Sequence, residues 1–269
     1  MSRSSASPST RWPLPAQDDW STPFAELLLA QLDLHPGLTI LDIACGHGIP
    51  AFYLAEHVGP TGSVLGIDMS RGQVANARTL QRGELPWLRF ECVDMRALPP
   101  SFPTFQRITG NLSVMFLRPH RFEAMRGLIA HLEPGGQIVL TFPSLGTFDS
   151  MWQRIDREMS RHGLTMERER LAAHVAERPS AAEARGWLEQ LKMERIDVIE
   201  QPLEVPSGAG QRFLQHPLLR GGFLDDAYEC FDDARLADTV MTSVAADLES
   251  MMPLVARRCA LSGWKPRQA

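Results

Sequence analysis

The chain has 269 residues, 44% hydrophobic and 22% charged, with a formal charge of −5. These figures fit one large domain, or a domain carrying an insertion, and they lack the Lys/Arg excess that a nucleic-acid backbone requires. Four cysteines (Cys45, Cys92, Cys230, Cys259) lie far apart with no CxxC pair, which argues against a zinc site and a disulfide framework and suits a reducing, cytoplasmic setting.

The opening MSRSSASPSTRWPLP has no apolar core, so a signal peptide is not expected. No run approaches the roughly 18–20 apolar residues that span a bilayer. Residues 1–21 read as a flexible segment, its start rich in Ser and Pro. From residue 22, PFAELLLAQLDL has helical spacing, which Pro36-Gly37 ends. Apolar strand-like runs then appear at 39–44, 63–67, 87–93, 107–111 and 136–142, separated by helical patterns at 51–57, 71–80 and 121–131. Strands alternating with helices imply βαβ crossovers, hence an α/β fold with a doubly wound, mostly parallel sheet covered on both faces.

After residue 142 the pattern changes. Residues 147–170 read as one long charged helix with a solvated face, and 180–191 as another, with Ser180 as N-cap and Glu183 three residues on. Two further strands at 195–205 and 254–262 bring the sheet to seven, and between them 211–252 form a helical insertion. The expected organisation is a single domain over 22–269 with that insertion as a lid.

The chemistry concentrates in Ile40-Leu41-Asp42-Ile43-Ala44-Cys45-Gly46-His47-Gly48-Ile49-Pro50, where an apolar strand runs into a glycine turn and then a helix. Gly46 and Gly48 allow a tight turn and a close backbone approach to a ligand, and the helix start presents free N–H groups to an anion. Alone the signal is weak. It could be a structural turn, and Gly46-x-Gly48-x-x-Ala51, with Asp68 about twenty residues on, also fits the dinucleotide fingerprint. The second strand ends in Asp68 and the third in Asp94. A carboxylate at the first position can accept both hydroxyls of a ribose, and one at the second can accept from an adenine amine. Each acid alone is a common cap or loop residue, but Asp42, Asp68 and Asp94 stand at successive strand ends around one glycine loop, where ligands of open α/β sheets bind.

With those residues in place, the sequence resembles the class I S-adenosylmethionine (SAM)-dependent methyltransferases of the small-molecule group that includes the ubiquinone and menaquinone biosynthesis enzymes. LDIACGHG is similar to that family's first motif, GIDMS to its second-strand motif and CVDMRALP to its adenine-contacting motif, while FQRITGNLSVMFL and LEPGGQIVLTFP match its fourth and fifth strands. The likeness is strong over roughly residues 22–145 and fainter over the last two strands. It implies a Rossmann-like sheet in which Asp42, Ala44, Gly46 and Gly48 hold the methionine portion of SAM. Asp68 would bind the ribose and Met69 pack on the adenine. Asp94 and Met95 would meet the adenine edge, with Asn111 near the amino-acid group or the sulfonium. His47 stands where a small hydroxyl residue is common, and Gln106 replaces an acid often found there. The third acid, the Pro134-Gly135-Gly136 turn and the closing strand pair favour this reading over a nicotinamide enzyme, and a non-catalytic SAM-binding protein stands as the other alternative.

No fixed base carries over from the family. His47, His120, His216 and Tyr228 are candidates to orient or deprotonate an acceptor, each also readable as a structural residue. Phe213, Leu214, Leu218, Leu219, Phe223, Leu224, Tyr228 and Phe231, with Met115 and Phe116, either wall an apolar acceptor pocket or form the core of the lid. Met241, Met251 and Met252 read as core filler. Trp12 and Trp20 are expected to close over the cofactor. The expected partner is a small-molecule methyl acceptor, with no metal and no nucleic acid.

Overall fold

The computed structural model describes residues 11–12, 14, 18–205, 207–208 and 225–267. The strands are β1 (Thr39–Ile43), β2 (Ser63–Asp68), β3 (Leu88–Cys92), β4 (Phe105–Gly110), β5 (Leu132–Pro143), β6 (Glu194–Val205) and β7 (Leu254–Trp264). They form one sheet in the order β3-β2-β1-β4-β5-β7-β6. The first five run parallel, and β7 is antiparallel to both β5 and β6. The chain order reverses between β1 and β4, which is the topological switch point where such sheets bind ligands.

The helices are α1 (Ser21–Gln31), α2 (Ala51–Val58), α3 (Arg71–Gln81), α4 (Arg121–Ala130), α5 (Asp149–Arg161), α6 (Thr165–Ala176), α7 (Ala181–Gln190), α8 (Asp225–Tyr228) and α9 (Ala234–Ala246). Successive strand side chains point to opposite faces. Ile40 and Val64 accordingly join Leu28, Phe52, Val74 and Ala77 of α1, α2 and α3 in one apolar cluster. Their neighbours Leu41 and Leu65 join Met125 and Leu128 of α4 and Leu188 of α7 in another. Both faces are covered, so the buried strands are apolar almost throughout.

The structure departs from the sequence reading in three places. β5 begins at Leu132, before the expected Pro-Gly-Gly turn. Phe105 pairs with Leu132, the register shifts, and pairing resumes at Arg107 with Gln137. Gly135, at φ 77, carries the irregularity. The long helix of 147–170 is two helices, because Gly163 takes φ 71 and the Leu164 N–H closes onto Met159 O at 3.0 Å. Its charges are not all solvated: Glu158 is buried and accepts from Arg154 at 2.7 Å and Arg161 at 2.9 Å. Finally, α8 and α9 do not pack alone. They share one apolar cluster with α5 and α6 (Trp152, Ile155, Met159, Leu171, Ala227, Val240, Val244), and Phe148, Trp20 and Phe24 join it from the sheet side. Met241 belongs to this cluster, and Met251 and Met252 pack against it.

No helix among the described residues is long and apolar enough to cross a membrane. α7 opens with the capping box read from the sequence: Ser180 Oγ accepts from Glu183 N at 3.2 Å, and Glu183 Oε2 accepts from Ser180 N at 2.8 Å. Replacing Ser180 by Ala should therefore lower stability by about 1 kcal/mol in urea unfolding. An unchanged midpoint would show that tertiary packing, not the cap, sets the start of this helix.

Candidate active site

The glycine turn is shaped by backbone constraints on both sides. After β1, Ala44 takes φ 50, the Cys45 N–H donates to Ile67 O at 3.0 Å, and Gly46 follows at φ 54. Gly48 sits at φ 104, and a Cβ there would lie 2.5 Å from the Phe52 ring, so its glycine is required for packing against α2. Gly46 differs: a Cβ there would meet nothing within 4 Å, because it faces open space. That space is a cleft of about 340 Å³ at the C-terminal ends of β1, β2, β3 and β4.

Asp68 holds the turn. Its Oδ2 accepts from Gly46 N at 3.0 Å and its Oδ1 from Ser70 N at 2.8 Å. Ser70, not Asp68, caps α3 by accepting from Gln73 N at 3.3 Å. Both Asp68 oxygens keep lone pairs for a ligand, since an ionised carboxylate offers about four acceptor sites. Met69 is 64% exposed beside it, an apolar platform on the cleft wall. Across the cleft stand Asp94 and the buried Met95.

Asp42 is not on the cleft wall. It is fully buried behind the turn, where its Oδ1 accepts from Thr109 Oγ1 at 2.7 Å while Oδ2 has no hydrogen-bond partner among the described residues. Burial pushes its carboxyl up to about 7, with Asp68 adding to the shift and the Thr109 bond opposing it. Burial, reinforced by Asp42 and Asp68, likewise pushes the Cys45 thiol well up, which removes it as a nucleophile. Asn111 follows β4 on the cleft, its amide fixed at both ends: Nδ2 donates to Ser21 O at 3.0 Å and Oδ1 accepts from Thr141 Oγ1 at 2.8 Å.

The structure thus brings Ala44, Gly46, Asp68, Met69, Asp94, Met95 and Asn111 to one cleft, with Asp42 and Gly48 behind it. His47 is exposed on the cleft. His120 precedes α4 on the surface and does not line it, and Tyr228 and Phe231 pack against the helical cluster. His216 and the apolar residues from Phe213 to Leu224 lie outside the described residues. Phe116 lines the cleft at 47% exposure, while Met115 packs into the helical cluster. Neither tryptophan closes over the cleft. Trp20 is buried against Phe24 and Phe148, with ring centroids at 5.1 and 5.4 Å, and Trp12 stacks on Phe52 at 4.5 Å.

Their neighbours Asp18 and Ser21 line the cleft instead, because Asp18 accepts from Trp20 N, Ser21 N and the Ser21 hydroxyl. Sequence reasoning passed over Asp18, although an Asp side chain that bonds the backbone two and three residues on is a turn signal legible in Asp18-Asp19-Trp20-Ser21. It also passed over Arg96, which lines the cleft two residues after Asp94. No His, Cys, Asp or Glu cluster among the described residues could hold a metal.

Residues 40–136 match the family model described as a methyltransferase domain. The chain is 31% identical over 200 residues to methyltransferase GfsG of Streptomyces halstedii, covering 71% of this chain and 67% of that protein. Other likenesses are shorter. The chain is 36% identical over 143 residues to a tRNA (guanine(6)-N2)-methyltransferase of Thermus thermophilus, covering 49% of this chain and 42% of that one. It is 34% identical over 134 residues to aklanonic acid methyltransferase DauC of a Streptomyces species, covering 48% and 60%. Among solved structures, YcgJ of Bacillus subtilis aligns with a TM-score of 0.57 at 16% identity over 91% of this chain and 99% of that one. The chain belongs to the class I SAM-dependent methyltransferases, and its cofactor is S-adenosylmethionine.

The residues present suit that cofactor. The cleft has an open turn at Gly46, acceptors at two strand ends and an exposed methionine, and behind it Asp42 keeps a buried oxygen with no hydrogen-bond partner among the described residues. Asp42 has a further consequence. A carboxyl raised in the folded state keeps a proton that the unfolded chain has already released. Folding therefore weakens as pH climbs from about 4 to about 7, by up to about 4 kcal/mol, and levels above. Asp42→Asn should remove that downward component from the pH dependence of thermal stability. A wild-type and variant difference that is flat across the window would exclude Asp42 as its source.

Proposed function

We propose that this chain transfers the methyl group of SAM to an O, N or C atom of a small-molecule metabolite. The observation that carries the reading is the open, left-handed Gly46 turn facing a cleft with Asp68 and Asp94 at adjoining strand ends. In this reading Ala44 and Gly46 line the methionine portion of the cofactor, with Gly48 and the buried Asp42 supporting it from behind. Asp68 takes the ribose with the lone pairs left by Gly46 and Ser70. Met69 packs on the adenine, Asp94 and Met95 meet its edge, and Asn111 lies near the amino-acid group or sulfonium. A sulfonium supplies an already activated methyl group. The protein's task is then to align the acceptor and exclude water, and no residue need act as a fixed base.

The acceptor side is read from Leu112 and Phe116, apolar groups on the wall after β4, which suit a hydrophobic or aromatic molecule. In this reading the lid expected at 211–252 also takes in α5 and α6, which share one apolar cluster with α8 and α9. A net charge of −5 favours a small molecule over tRNA, and four cysteines with no CxxC pair suit the cytoplasm.

Calorimetric titration with S-adenosylhomocysteine and, separately, with NADH tests the cofactor site. Micromolar binding of the first alone is expected, and binding of NADH alone would mean that the glycine turn holds a pyrophosphate. Asp68→Ala should weaken S-adenosylhomocysteine binding by roughly 10-fold or more, since it removes the charged acceptor for the ribose. Unchanged affinity would rule out the ribose assignment. Methyl transfer to a panel of phenolic and carboxylic acceptors then tests the reaction itself. A cofactor-loaded protein inactive on small molecules but active on tRNA would overturn the acceptor class.

A further inference from the structure

The acid at the third strand end is held by a neighbour. The turn after β3 folds the Arg96 guanidinium back onto Asp94. Nη2 donates to Oδ2 at 2.7 Å, and Nε donates to Oδ1 at 2.9 Å and to Oδ2 at 3.2 Å, while the Arg96 backbone N–H donates to Oδ1 at 2.9 Å. Nη1 reaches Arg118 O at 3.4 Å, which ties this turn to the segment after β4. A planar guanidinium fork fixes the plane of a carboxylate in a way that a point charge cannot. It also holds the Asp94 carboxyl below the usual carboxylate range.

The pair does little for folding, because both side chains are 38% exposed and such ion pairs are worth little in water. Its effect falls on the cleft that Asp94 and Arg96 both line. With the Arg96 backbone and Nε both on Oδ1 and Nη2 on Oδ2, the acceptor site left on Asp94 lies on Oδ2 in a fixed direction, and the group can only accept. An acceptor at a purine edge attracts an exocyclic amine and repels a carbonyl oxygen.

We propose that Arg96 is the positioning residue that makes this cleft select a 6-amino purine, by locking Asp94 as an oriented, acceptor-only group that rejects a 6-oxo base on the same scaffold. The proposal rests on Asp94 meeting the adenine edge, and the experiment separates the two claims. S-adenosylhomocysteine and its S-inosyl counterpart, in which the 6-amino group is replaced by oxygen, are titrated into wild type, Arg96→Gln, Asp94→Asn and Arg89→Gln. The last alters an exposed arginine on β3 away from the cleft.

Wild type and Arg89→Gln should prefer the adenosyl ligand by roughly 100-fold, and Arg96→Gln should cut that preference to about 10-fold or less. Asp94→Asn, which offers a donor as well as an acceptor, should level or reverse it. If Arg96→Gln keeps the wild-type ratio while Asp94→Asn loses it, the role of Arg96 is overturned and the placement of Asp94 stands. Equal weakening of both ligands in Arg96→Gln would mean a role in loop structure only, which also overturns the proposal. A wild type that binds both ligands equally would overturn the placement of Asp94 and the proposal with it.

Discussion

The glycine turn after β1 keeps its shape through one carboxylate supplied by the neighbouring strand. Asp68 is hydrogen-bonded to Gly46 N on one oxygen and to Ser70 N on the other, so a single side chain joins the ends of β1 and β2. Two parallel strands cannot share a tight hairpin; the β1–β2 ladder runs to Ile43 and Ile67 and on through Cys45 N–H to Ile67 O, and Asp68 extends that link beyond the sheet into the turn. The Asp68 clamp therefore fixes the relative position of the two walls of the cleft. Everything that faces the cleft from β3 and β4 is placed against that pair.

Strain collects on the same rim. Ala44 and Leu112 are non-glycine residues with φ 50 and φ 53, and both stand where a strand, β1 or β4, leaves the sheet beside the switch point. A left-handed residue with a Cβ costs roughly 1–2 kcal/mol, so such turns persist only where the surroundings over-determine them. Around Leu112 this comes from Thr141, whose hydroxyl accepts from Leu112 N at 2.9 Å and donates to Asn111 Oδ1 at 2.8 Å. Asn111 in turn holds the start of α1 through Ser21 O. The amino-terminal helix is thus tied to the cleft by polar contacts, while Trp20 and Phe24 anchor it in the helical cluster.

The acids around the cleft behave differently because their environments differ. Asp42 is sealed behind the turn and its carboxyl rises, whereas Asp94 lies open to solvent under an arginine fork and its carboxyl falls. Similar residues at equivalent strand ends therefore serve as a buried, easily protonated group in one place and a permanent acceptor in the other.

The sequence by itself determined the alternation of strands and helices, the glycine turn, the acids at three strand ends and the capping box at Ser180. Those features are local: apolar periodicity, turn chemistry and capping act over a few residues and can be read without knowing what lies across the fold. Three matters were decided only by tertiary structure. Asp42 is buried while Asp68 is shared between two loops, because burial depends on which strands adjoin. Asp18 and Ser21 reach the cleft while Trp12 and Trp20 turn away, because the aromatic rings found apolar partners in Phe52, Phe24 and Phe148. The helices of two distant segments merged into one layer, because neither α5–α6 nor α8–α9 could bury its apolar face alone, and a periodicity records that a face exists but not which face it meets.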